Sequence, residues 1–202
     1  MQNQSSPETC MGINVIDMFA VDDWTGVSRY DRMHFGIIRV VHESLYGLFM
    51  NPYSKLTLAG LKRGQQVLEV GCGPGFFTIP AAKIVGETGC VHALDINPVA
   101  VEHVRRKIER ERLTNVEVKR ADASETGLPD ESVDVAFLFA VIHSFQNVNK
   151  VLIEMQRVLK TKATLSVQSR WPEKKLIETT TANGLFHLKE KVNGVFAFEK
   201  RE

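Results

Sequence analysis

No stretch of this sequence approaches the roughly 18 consecutive apolar residues of a transmembrane helix, so no membrane span is expected. Charge of one sign is missing too. The 25 lysines and arginines against 24 acids leave a formal net charge of +1, which supplies no global field for nucleic acid or an anionic surface. Cysteine is scarce: Cys10, Cys72 and Cys90 are odd in number and lack metal-ligand spacing. That argues against a disulfide framework or a metal site and for a reduced, cytoplasmic setting. The N-terminus MQNQSSPETC has no basic region followed by an apolar stretch, so a secretory leader is not expected. Internal repeats and low-complexity tracts are also missing. What remains, 44% hydrophobic and 24% charged, is the composition of one ordinary globular domain.

The rest of the chain is organised around Gln66 to Thr78, QVLEVGCGPGFFT. Gln66 to Val70 is a short apolar run bounded by glycines and reads as a buried parallel strand. Gly71, Cys72, Gly73, Pro74 and Gly75 cannot continue it. From Phe76 the pattern turns helical, with Phe77, Ile79, Ala81, Ala82 and Ile84 toward the core and Pro80 tolerable in the first turn. A strand, a glycine turn and a helix start make a cradle where backbone approaches a ligand. A dinucleotide fingerprint requires G-x-G-x-x-G. Gly71 and Gly73 fit it, but Phe76 holds the third position and the extra glycine is Gly75. Glu69, two residues before the first glycine, would repel a pyrophosphate and suits a ligand carrying an ammonium group.

Before this unit, residues 1–60 read as a polar tail followed by helical segments. Ile37, Ile38, Val41, Leu45, Leu48 and Phe49 recur at helical spacing within Asp31 to Met50, and Asn51-Pro52 ends the pattern. A short helix over Ser54 to Leu61 follows. After the unit the chain alternates. Cys90 to Asp95 is strand-like, and Asn97-Pro98 opens an amphipathic helix to about Leu113 with Val101, Val104 and Ile108 as its buried stripe. The other face interleaves both charge signs from Arg105 to Arg112, the pattern of a solvated helix face rather than a nucleic-acid patch. Strands follow at Val116 to Lys119, Val133 to Phe139 and Ala163 to Val167, with a helix marked by Val148, Val151, Leu152, Met155 and Leu159. A helix from Pro172 to Ala182 stops at Asn183-Gly184. Two last strands, Leu185 to Lys191 and Val195 to Glu199, flank Asn193-Gly194, a hairpin-turn signal.

The pattern E-x-G-x-G-x-G at Glu69, Gly71, Gly73 and Gly75 resembles the first motif of class I methyltransferases that use S-adenosylmethionine. The order of elements from Leu61 onward resembles their topology as well. The resemblance implies an α/β, Rossmann-like three-layer sandwich, with a seven-stranded mostly parallel sheet ending in an antiparallel hairpin. Residues 61–202 would form the core, and residues 1–60 a tail and helical lid of the same domain. Asp95, ending the second strand about 20 residues past the glycine turn, is placed to accept the ribose hydroxyls of an adenosine. By resemblance Ile96 lies on the adenine, Asp122 accepts from its amino group, and the Ala123 backbone meets the ring edge. Gly71 and the carbonyls near Phe139 hold the methionine end, and Glu69 favours its ammonium. Cys72, inside the loop, reads as a small filler rather than a nucleophile.

Methyl transfer from a sulfonium is an in-line displacement that needs alignment and exclusion of water, and a base only where the acceptor must lose a proton. The fourth strand ends LFAVIHSF, without the Asn/Asp-Pro-Pro-Tyr/Phe motif of DNA and glutamine methyltransferases. His143 is the best-placed candidate base, or else a turn-capping residue. Tyr30, His34 and Trp171 are candidate acceptor contacts. The chain resembles small-molecule methyltransferases of the quinone-ring and arsenite type, with Lys160-Thr161-Lys162-Ala163 where such proteins usually carry Lys-Pro-Gly-Gly. Few cysteines argue against arsenite. The expectation is a small-molecule acceptor, no nucleic-acid partner, and a monomer or homodimer. An RNA or protein methyltransferase, or a non-catalytic domain that binds the cofactor and regulates a partner, stays open at this point.

Overall fold

The computed structural model describes Arg32, Met33, Phe35, Gly36, Ile37 and residues 51–201. Most of the expected tail and lid, including Tyr30 and His34, lies outside the described residues. Seven strands form one sheet: β1 (Gln66–Val70), β2 (Cys90–Asp95), β3 (Val116–Arg120), β4 (Val133–Phe139), β5 (Leu159–Gln168), β6 (Phe186–Val192) and β7 (Val195–Lys200). Their spatial order is β3-β2-β1-β4-β5-β7-β6. The first five run parallel, β7 is antiparallel to β5, and β6 is antiparallel to β7. The order reverses between β1 and β4, and a crevice at such a reversal, outside the carboxyl ends of the strands, is where open α/β sheets bind ligands.

Two apolar layers explain why β4 is a continuous hydrophobic run. Side chains alternate across a strand, so Ala136 and Leu138 join the core of Leu68, Leu152, Met155, Leu165 and Phe198 on one face. Val135, Phe137 and Phe139 join Val67, Val91, Ala81, Val85 and Val104 on the other. The helices supplying those faces are α1 (Pro52–Leu58), α2 (Thr78–Val85), α3 (Pro98–Glu111), α4 (Val148–Val158) and α5 (Glu173–Thr181). Asparagine side chains cap three of them: Asn51 accepts from the amides of Tyr53 and Ser54, Asn97 from Val99, and Asn147 from Lys150. Pro52 and Pro98 stand in first turns, and Pro80 is the third residue of α2, where a missing donor costs little. Asn193 and Gly194 both take positive φ, 48° and 77°, the geometry a two-residue hairpin turn requires.

Three expectations are adjusted. The helix expected from Ser54 begins at Pro52 and ends at Leu58, because the Asn51 side chain caps it two residues earlier. β5 starts at Leu159 rather than Ala163, directly from α4. There the polar Lys160–Lys162 stretch is carried by partners distant in sequence: Lys160 Nζ lies 2.7 Å from Asp134 Oδ1, and the β4–β5 register shifts between Val133 and Val135. Lastly, Cys90 is disulfide-bonded, against the expectation of reduced cysteines, and its partner lies outside the described residues.

Candidate active site

The glycine loop leaves the carboxyl end of β1 and is held from three sides. Gly71 and Cys72 donate their amides to the Leu94 carbonyl at 2.8 and 2.9 Å, which draws the loop against the end of β2. Gly73 donates to Asp95 Oδ2 at 2.8 Å. Lys107, reaching up from α3, donates to the Pro74 carbonyl at 2.8 Å. Gly71 has φ 77°, and a Cβ there would stand 2.8 Å from Val141 Cγ2, so both the turn and the approach of the segment after β4 require glycine.

Around this loop the expected carboxylates come together at the ends of successive strands. Glu69 is 2% exposed, and its Oε2 accepts from Thr78 Oγ1 at 2.6 Å. Burial, only partly offset by that hydrogen bond and reinforced by the charge of Asp95, raises its pKa from 4.5 to about 8. Asp95 ends β2 half-buried, with Oδ2 on the Gly73 amide and Oδ1 on the Asn97 amide at 2.8 Å. Asp122, just beyond β3, is exposed; its Oδ1 accepts from the Ser124 amide and hydroxyl, which hold its pKa below the usual range. Ala123 is buried beside it, and Ile96 stands 65% exposed next to Asp95. Cys72 is buried; burial first, then Glu69 and Asp95, push its thiol well above its ordinary pKa, so it stays a neutral small side chain.

On the β4 side, the Phe139 ring packs against Phe77 and Phe137, each at 5.1 Å between centroids. Ala140 then adopts φ 57° while donating its amide to the Gln168 carbonyl at 2.8 Å. A non-glycine residue in the left-handed region carries strain, which tends to collect at ligand-facing turns. The strained turn leads into a single 3-10 turn, Ile142–Ser144, carrying His143. His143 Nε2 lies 3.4 Å from Arg170 Nη2, and Nδ1 is buried with no hydrogen-bond partner among the described residues. Desolvation, then the Arg170 charge, lower the pKa of His143, so the ring is neutral. Trp171 is half-buried, with Lys175 Nζ 4.4 Å above its ring.

Sequence reasoning missed four parts of this site. Thr78, Arg170 and the Glu154–Thr126 pair act through contacts distant in sequence and left no local signal. Lys107 was readable, since it falls one turn from Val104 on the buried stripe of α3. Glu154 Oε1 accepts from the amide and hydroxyl of Thr126 at 2.8 and 2.7 Å and pairs with Arg157, bracing the segment that follows Asp122. A separate cleft of about 410 Å³ opens at the opposite edge of the sheet, among Lys62, Asp134, Lys160 and Lys189. There Lys160 and Lys189 are already paired with Asp134 and Glu199, so that cleft is distinct from the carboxylate-lined crevice.

The donor set fits a ligand that is cationic at one end and a nucleoside at the other. A buried acid that needs a positive partner stands at the loop, a second acid stands at hydroxyl-accepting position, and a third is at the rim. A pyrophosphate would meet Glu69 and Asp95 instead of cations. Known proteins point to the same cofactor. The methyltransferase domain family matches residues 61–198. Aklanonic acid methyltransferase DauC of Streptomyces sp. (strain C5) is 40% identical over 72 residues, 36% of this chain and 33% of that protein. Ubiquinone/menaquinone biosynthesis C-methyltransferase UbiE of Escherichia coli is 29% identical over 180 residues, covering 83% of this chain and 67% of its own length. So the chain spans only a third of the first relative and two thirds of the second. The crystal structure of a SAM-dependent methyltransferase from Aquifex aeolicus superposes with a TM-score of 0.73 at 26% identity, covering 82% of this chain and 97% of that one. The chain belongs to the methyltransferase domain family, within the class I enzymes that use S-adenosylmethionine.

Proposed function

We propose that this chain transfers a methyl group from S-adenosylmethionine to a small-molecule acceptor held above the carboxyl ends of β4 and β5. The observation that carries this reading is the set Glu69, Asp95 and Asp122 around a loop of three positive-φ glycines. In it Glu69 takes the ammonium end, Asp95 the ribose hydroxyls, and Asp122 with the Ala123 backbone the adenine edge, while Ile96 covers the ring. The backbone of Gly71 and Phe139 borders the methionine portion. When bound, the cofactor supplies an activated methyl on a good leaving group. The residues of the chain then have to align the acceptor and keep water out.

The two relatives are named for aklanonic acid and for ubiquinone/menaquinone biosynthesis, and we extend that class of small acidic or quinone-related molecules to this chain. His143 is the proton acceptor of this proposal: it is neutral, and the arginine contact marks Nε2 as its lone-pair nitrogen. Trp171 borders the acceptor, and the segment before α1, with Tyr30 and His34, covers it as a lid, while α1 itself packs on the sheet face through Leu56 and Ala59. The test is incubation with methyl-labelled S-adenosylmethionine and a panel of quinols and aromatic acids. Label in a small organic product supports the reading. Label confined to RNA or protein would contradict the acceptor class. Tight cofactor binding without transfer to any member would contradict the chemistry.

A further inference from the structure

Arg170 stands two residues beyond β5, exposed, at the same edge of the sheet as the end of β4. Among the described residues its partner is the His143 ring, Nη2 to Nε2 at 3.4 Å. A guanidinium can only donate, so Nε2 accepts and the ring proton sits on Nδ1. A neutral imidazole orients the guanidinium without cancelling its charge. No carboxylate among the described residues does so either. The surrounding cations are treated differently. Lys174, on α5, and Lys191, on β6, are paired with Glu178 and Glu173. Arg170 beside His143, and Lys175 above Trp171, are left with an imidazole and an indole. The segment after β5 therefore keeps an oriented guanidinium, with no carboxylate on it among the described residues, at the rim of the acceptor position.

We infer that Arg170 is the anchor for a carboxylate carried by the acceptor, so that this enzyme takes a small carboxylic acid in its ionised form. The inference rests on the reading of this crevice as a methyl-transfer site. A planar carboxylate matches the guanidinium fork in two parallel hydrogen bonds, which a lysine or an imidazole cannot reproduce. It also explains a neutral histidine beside an arginine: the imidazole presents the fork and gives it up when a better acceptor arrives.

The experiment compares 1-naphthoate with 1-naphthamide, of the same shape and without the charge, by calorimetry on the full chain saturated with S-adenosylhomocysteine. The expected result is at least about tenfold tighter binding of the naphthoate. Arg170→Gln abolishes that preference, Arg170→Lys keeps part of it, and Lys174→Gln leaves it intact. A nitrogen-15 resonance of His143 Nε2 that moves on addition of naphthoate, but not in Arg170→Gln, separates anchoring from a merely structural role. Equal binding of the two probes, binding of neither, or a preference surviving in Arg170→Gln overturns the inference. Unchanged S-adenosylhomocysteine affinity in Arg170→Gln keeps this outcome separate from the cofactor reading.

Discussion

Two glutamates are buried among the described residues, and they are treated in opposite ways. Glu154 is 8% exposed and fully provided for: the Arg157 guanidinium, then the Thr126 hydroxyl and amide, hold its pKa down to about 2. Glu69 is 2% exposed, has one hydroxyl partner, and has another carboxylate as its charged neighbour, which leaves it at about 8. Burial alone opposes ionisation in both; what differs is whether the fold supplies the compensating positive charge. At Glu154 it does, and the residue serves stability. At Glu69 no described residue does, and in the proposed function a ligand with an ammonium group brings the missing cation. A buried acid without a cation is therefore the better marker of this site than burial or acidity alone.

The comparison can be broken by mutation. Asp95→Ala removes an acceptor from both the glycine loop and the ligand, and should weaken S-adenosylhomocysteine about thirtyfold to a hundredfold by titration. Glu154→Ala should do the reverse: a loss of about 2 kcal/mol in denaturant unfolding, with cofactor affinity within about threefold. Glu69→Gln, which mimics the protonated form, should reduce affinity about tenfold without reducing stability. A Glu69→Gln protein that unfolds readily would place Glu69 with Glu154 as a structural acid.

Titration sharpens the contrast further. Between about pH 4.5 and 8, folded Glu69 keeps a proton that the unfolded chain has lost, so its contribution to stability declines as pH rises through that window. Glu154 has its pKa lowered, so its contribution is present above about 4.5 and is lost as pH falls toward 2. Below pH 8 an arriving ammonium group must displace the Glu69 proton. Affinity should then climb by up to about tenfold per pH unit, with proton release visible as a buffer-dependent enthalpy. The smallest effect is Asp122→Asn. This exposed rim residue should cost about threefold, read in the same titration.

How much of this was legible in the sequence depended on how local the cause is. β4 was read to its final residues because Val133–Phe139 is one apolar run, and the Asn193-Gly194 turn because those two residues tolerate positive φ. Glu69, Asp95 and Asp122 were found at fixed offsets from strand ends. The start of β5 was not, because its polar residues are held by Asp134 and a register shift in the neighbouring strand. The same holds for Thr78 on Glu69 and Arg170 on His143, partners 9 and 27 residues apart whose meeting only the fold arranges. His143 shows the limit most clearly. Its place after β4 was readable, but its lowered pKa follows first from burial and then from Arg170 in the segment after β5, and only that arginine marks its lone-pair nitrogen.

What the carboxylate-lined loop binds decides the function of this site. Titration of the purified chain with S-adenosylhomocysteine, and in parallel with NADH, decides it directly. The expected result is micromolar binding of the first, lost in Asp95→Ala, and none of the second. Tight NADH binding with no binding of S-adenosylhomocysteine would mean that the loop receives a pyrophosphate despite Glu69, and would contradict the assignment of the site.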